Sequence, residues 1–192
     1  LHQYKGAIIA HIGPMFGGKT SALISDVIKF KIAKYNTVLF KPKKDERYAK
    51  DAVVNHRGEE LEAINVTSIC DVLNYMKENP EVDIIAIDEF QFLKDNLLGS
   101  EYLVGNLIHN ILLGNKTLII SGLDLDSDLI PFDNVRNLLP YCTHINKHKA
   151  VCMVCGADAT TSYCKVEKDD QELIGGSDLY EPRCYHCHSL KE

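Results

Sequence analysis

"IGPMFGGKTS", residues 12–21, decides how the rest of this chain is read. The run fits G-x-x-x-x-G-K-[ST] as Gly13, Gly18, Lys19 and Thr20. Its flanks agree with that reading. Residues 6–12 (GAIIAHI) form a short apolar run, expected to be a buried strand. From Lys19 to about Tyr35, Leu23, Val27, Ile28, Phe30 and Ile32 recur at helical spacing. A strand, a glycine turn and a helix in that order make an anion site. Glycines let backbone N–H groups curl around phosphate oxygens, and the helix N-terminus adds a favourable partial charge. Lys19 is expected to reach the outer phosphates of a nucleoside triphosphate, and Thr20 to offer its hydroxyl to Mg²⁺.

Beyond this helix the pattern repeats. Residues 37–41 (TVLFK) read as a second strand, and the polar stretch from Pro42 to about Glu62 as a long loop, of the kind that often carries function. Thr67 or Ser68 can cap a helix running through CDVLNYMKEN and stopping before Pro80. Residues 83–87 (DIIAI) are a buried strand that ends at Asp88-Glu89. Residues 101–113 are a helix that Gly114 can cap, and 117–121 (TLIIS) another buried strand. Continuous apolar strands alternating with helices predict an α/β fold, a parallel sheet covered on both faces. Near His144 the alternation stops and Cys, Gly, Thr and Tyr become frequent. The expected division is a nucleotide-binding domain over 1–148 and a small second domain over 149–192.

The totals are those of an ordinary globular protein. The chain has 192 residues, 45% of them hydrophobic and 25% charged, enough for one large domain with a small appendage. A net charge of -6 argues against a general affinity for nucleic-acid backbones. No apolar stretch approaches the roughly 20 residues that span a bilayer. The apolar start is broken by His11 and passes straight into the glycine loop, unlike a secretory signal. A cytoplasmic protein without membrane or nucleic-acid partners is expected.

Phosphoryl transfer needs a carboxylate near the metal, and an apolar strand ending in an acid supplies one. Asp88 is the candidate Mg²⁺ partner, through water. Glu89 beside it can act as a base. In a hydrolase it would activate water, and in a kinase it would take the proton of an acceptor hydroxyl. The motif alone leaves both open.

Four of the seven cysteines form two CxxC pairs, Cys152/Cys155 and Cys184/Cys187. Two such knuckles can give four thiolates to one tetrahedral Zn²⁺, a closed and therefore structural site. His186 and His188 flank Cys187, so either could replace it. Cys70, Cys142 and Cys164 have no partner pattern and are expected as buried thiols. Between the knuckles lie Ile174-Gly175-Gly176-Ser177 and Tyr180, a glycine segment pinned at its base that reads as a substrate lid.

Over nearly its whole length the chain resembles the type II thymidine kinases. "GPMFGGKT" (13–20), "KPKKDERY" (41–48), "IDEFQF" (87–92), "GLDLD" followed by "PF" (122–126 and 131–132), "AVCMVCG" (150–156) and "IGGSDLYEPRCYHC" (174–187) are similar to that family's signatures. The resemblance implies a RecA-like P-loop sheet with a zinc-binding lasso domain, and a kinase in which Glu89 is the base for the 5′-hydroxyl of thymidine. It implies that Gly13, Pro14, Met15, Phe16, Gly17, Gly18, Lys19, Thr20, Asp45 and Asp88 serve ATP and Mg²⁺, with Lys19 and Arg47 steadying the transferred charge. Met15, Phe92, Leu123 and Ser162 would wall the base pocket. Main chain near Gln171, Leu173, Ile174 and Gly175 would hydrogen-bond the base, with Tyr180 close by. The family is usually tetrameric and is commonly inhibited by thymidine triphosphate (dTTP). Three residues depart from its pattern: Ser127 replaces a common aromatic, Leu129 a common glycine and Ser162 the usual threonine. These changes bear on how well deoxyuridine is accepted.

Overall fold

The structure, a computed structural model, describes residues 5–43, 52–54, 60–93, 99–166 and 177–188. Strand β1 (Ile8–Ile12) leads through the glycine loop into helix α1 (Lys19–Ile32), which stops three residues short of the expected end. Next come β2 (Thr37–Pro42), β3 (Ala52–Val54), β4 (Glu60–Glu62) and β5 (Ile64–Val66). Helix α2 (Ile69–Glu78) starts at Ser68, not Thr67. Ser68 accepts from the Asp71 N–H and Asp71 accepts from the Ser68 N–H, a complete capping box. The chain continues as β6 (Ile84–Ile87), α3 (Ser100–Leu113), β7 (Thr117–Gly122), α4 (Asp133–Leu138) and β8 (His144–Lys147). Four short strands follow: β9 (Ala150–Val151), β10 (Asp158–Ala159), β11 (Thr161–Cys164) and β12 (Tyr180–Arg183).

Six strands form one sheet in the order β5-β2-β6-β7-β1-β8, all parallel. Alternation along the strands sorts their side chains onto two faces. Ile8, Ala10, Ile12, Val38, Phe40, Ile85, Ile87, Leu118 and Ile120 face α2, α3 and α4, whereas Leu39, Ile84, Ala86 and Ile119 face Leu23, Ile24, Val27 and Phe30 of α1. The P-loop strand β1 and the acid-bearing strand β6 are not neighbours, because β7 lies between them. This is the RecA-like α/β arrangement that the sequence implied. It gathers the carboxyl ends of β1, β7 and β6 at one edge, where ligands of open α/β sheets bind.

The stretch after Pro42 is more structured than the expected loop, since β3 and β4 pair antiparallel within it and β5 adds a sheet edge. At the other edge, β8 pairs with β1 although all four of its residues are exposed. The sheet thus extends past His144, where the alternation of strand and helix seemed to end. No described helix is long and apolar enough to cross a membrane.

Candidate active site

The glycine loop bends back over the end of β1. Gly13 has φ 136°, and a Cβ there would collide with the main-chain carbonyl of His148. Glycine is required at that position by conformation and by space alike. Gly18, at φ 81°, supplies the left-handed turn that opens α1. The Lys19 ammonium lies within the loop and donates to the Pro14 carbonyl at 2.7 Å. The Met15 N–H donates to Ser162 Oγ at 2.9 Å, so the loop is tied to β11, far along the chain.

At the end of β6, Asp88 is 7% exposed. Thr20 Oγ1 donates to its carboxylate at 3.1 Å, and the Ser121 hydroxyl at the end of β7 donates to it as well. Burial first, then the neighbouring Glu89 charge, push Asp88 up to about 6, against the pull of the two hydroxyls. The first turn of α1 and the ends of β7 and β6 thus deliver a hydroxyl, a hydroxyl and a carboxylate to one point. Glu89 follows at φ 51°, ψ 44°, a left-handed conformation costly for a non-glycine residue. The turn starts a 3₁₀ segment, Phe90–Phe92, and carries the Glu89 carboxylate to Gln91, whose Nε2 donates to Glu89 Oε2 at 2.6 Å. Gln91 Oε1 in turn accepts from the Leu123 N–H at 3.0 Å. A Cβ on Gly122 would lie 2.5 Å from that oxygen. One buried amide thus joins the candidate base to a candidate wall of the base pocket. Phe92 stands edge-on to Phe132, ring centroids 6.1 Å apart.

The loop after β7 is built around Asp126. Its Oδ1 accepts from the N–H groups of Asp128 and Ile130, both at 2.8 Å, and Leu125 bridges to Pro131. Leu129 sits in this turn at φ 64°, a conformation that explains a glycine preference there. Asp124 pairs with Lys147 of β8 at 2.7 Å.

The four sulfurs of Cys152, Cys155, Cys184 and Cys187 lie within 4.8 Å of one another. Cys155 and Cys184 Sγ are 3.7 Å apart. A tetrahedron with Zn–S of about 2.3 Å has edges of about 3.8 Å, so the spacing suits zinc. Main-chain N–H groups, that of Cys184 first, hold the Cys152 thiol down to about 6, and hydrogen bonds within the cluster, from Cys155 first, push Cys187 up to about 12. Crowded thiolates repel one another, and a divalent cation relieves that repulsion. The cluster could hold a zinc ion. Neither histidine belongs to it. His188 Nδ1 meets Thr161 Oγ1 at 2.9 Å and Nε2 meets the Ser127 carbonyl at 3.1 Å, which fastens the cysteine unit to the loop after β7, while His186 is exposed.

Several expected site residues fall outside the described residues: Asp45, Arg47, Gln171, Leu173, Ile174 and Gly175. Tyr180 is buried on β12 opposite Cys164. Of the three unpaired cysteines expected to be buried, Cys164 is, but Cys70 and Cys142 are only half-buried. Sequence reasoning missed Ser121 and Gln91. Each is a polar residue inside an apolar run, TLIIS and FQF, and that was the signal available. A family model described as thymidine kinase matches residues 6–188.

Proposed function

The chain belongs to the thymidine kinase family, and from that premise we propose that it transfers the γ-phosphate of Mg-ATP to the 5′-hydroxyl of thymidine, giving dTMP, and that it accepts deoxyuridine to some degree. The observation that carries this reading is the meeting of Thr20, Ser121 and Asp88, with Glu89 next in the chain. Main-chain N–H groups of residues 13–20, with Lys19, would cradle the phosphates. Thr20 and Asp88 would hold Mg²⁺, whose charge neutralises the phosphate oxygens and favours the ionised form of Asp88. Glu89, held by Gln91, would take the proton of the nucleoside 5′-hydroxyl as its oxygen attacks. Arg47 and Asp45 would act near the phosphates.

Met15, Phe92, Leu123 and Ser162 would wall the base, and main chain at Gln171, Leu173, Ile174 and Gly175, with Tyr180, would read its polar edge. That mode suits thymine and uracil and excludes purines. The Ser162 hydroxyl already serves the Met15 N–H, so the methyl that a threonine would add is the group to set against thymine. Zinc at the four cysteines would pin the lasso, taken as 149–192, on the domain 1–148. A cytoplasmic homotetramer inhibited by dTTP completes the proposal.

The test is Glu89→Gln. Turnover is expected to fall by roughly 10²–10⁴ with ATP binding nearly intact. A variant of near-full rate overturns the assigned base.

A further inference from the structure

The end of the second CxxC knuckle reaches the walls proposed for the nucleoside. The N–H groups of Cys187 and His188 both donate to the Cys184 carbonyl, at 3.1 and 2.9 Å, so the His188 side chain leaves the knuckle at a fixed point. Its ring is half-buried and engaged at both nitrogens. Nε2 lies 3.1 Å from the Ser127 carbonyl in the loop after β7, and Nδ1 lies 2.9 Å from Thr161 Oγ1 on β11. A carbonyl only accepts, so Nε2 carries a hydrogen and donates it. Tyr163, also on β11, stands edge-on to the ring with centroids 5.7 Å apart. The Arg183 guanidinium covers Tyr163 at 3.5 Å and donates to the Cys187 carbonyl at 3.2 Å. Packing as well as hydrogen bonding therefore sets the position of the His188 ring.

Both ends of this bridge continue to the candidate base pocket. Thr161 is followed by Ser162, whose hydroxyl accepts from the Met15 N–H at 2.9 Å. Ser127 belongs to the turn that Asp126 closes on itself, and the same loop begins at Leu123, whose N–H donates to Gln91. Ser127 is 8% exposed, and its hydroxyl has no hydrogen-bond partner among the described residues, so its carbonyl is the group that the His188 ring can grip. The phosphate site is held by other bonds, Lys19 to Pro14 and Thr20 and Ser121 to Asp88. We propose that His188 is a positioning residue for the nucleoside. It spans the gap between the loop 123–131 and β11, and holds Leu123 at the spacing from Ser162 and Met15 that the base requires. This role rests on the reading of those three residues as pocket walls. Loosening the bridge frees one wall and leaves the phosphate site in place.

The test compares two variants. His188→Phe keeps an aromatic ring against Tyr163 and loses both hydrogen bonds, whereas the side-chain amide of His188→Gln can still donate to the Ser127 carbonyl. KM for thymidine is expected to rise roughly two- to tenfold in His188→Phe, the worth of a hydrogen bond, with KM for ATP close to that of the wild type. His188→Gln should recover most of the loss. Two further readouts do not depend on activity. Metal content by elemental analysis should match the wild type in both variants, because His188 is outside the set of four clustered sulfurs. Amide exchange over 124–130 should speed up in His188→Phe and slow again in His188→Gln, while β1 and β7 stay protected. Equal rises in KM for both substrates, no recovery in His188→Gln, or unchanged exchange over 124–130 overturn the proposal. Loss of metal in His188→Phe also overturns it, since the residue would then act through the cysteine cluster. A wild type that transfers no label to thymidine is a different failure, that of the kinase reading, and the exchange comparison still decides whether the bridge holds the loop.

Discussion

The glycine loop rests on a six-stranded sheet with helices on both faces, and the groups that meet beside it are fixed by β6, β7 and the start of α1. Among the described residues of 150–188, only Ala150, Cys152 and Ala159 form a buried apolar cluster, with Cys184 and Cys187 packed against it. The first region is held by apolar burial, which persists whatever is bound. In the second, three of those five residues are cysteines of the candidate metal site, so its order would depend on the metal it could hold. The two touch at few points in the described residues, among them Met15 to Ser162 and His188 to Ser127.

Breaking the second region should have the largest effect. Cys184→Ser is expected to lose zinc by elemental analysis and to bring amide-exchange protection over 150–166 and 177–188 close to zero, because structural zinc supplies about 10–16 kcal/mol of apparent binding energy to small metal domains. Protection of β1 and β7 should persist, and its loss would show that the regions are not independent. Breaking the first at its tightest point comes next. Gly13→Ala forces a strained φ and a backbone collision. A cost of about 3 kcal/mol corresponds to roughly a hundredfold in ATP affinity, measurable by titration. Gln91→Ala leaves the Leu123 N–H and the Glu89 carboxylate without their partner. A penalty of about 1–3 kcal/mol predicts a fall of roughly tenfold or more in kcat with ATP binding unchanged. The smallest effect sharpens the comparison at a seam between the regions. Ser162→Thr keeps the hydroxyl for Met15 and adds one methyl, so the thymidine-over-deoxyuridine ratio of kcat/KM should change by about fourfold, at about 0.8 kcal/mol per CH₂.

The same contrast explains what the sequence made legible. β6 and β7 are buried on both faces and read as apolar runs, as does β1 apart from His11, and the start of α2 was legible as a cap at Thr67 or Ser68. The edge strands were not legible. β5 is three residues long, and β8 exposes all four of its residues, so neither carries an apolar pattern. The β3–β4 pair is too short to show alternation. At the site, motifs announced Lys19, Thr20, Asp88 and the cysteines. Ser121 and Gln91 act through what they touch, and those contacts exist only once β7 is placed between β1 and β6. The same is true of His188, which lies far from Ser127 in the chain and meets it only in the folded protein.

The most direct test of the central claim is transfer of label from ATP, with thymidine, deoxyuridine, deoxycytidine and no acceptor run side by side. The account predicts label on thymidine, less on deoxyuridine, and none on deoxycytidine. Label released only as free phosphate, with or without a nucleoside, would make Glu89 a water activator and contradict it.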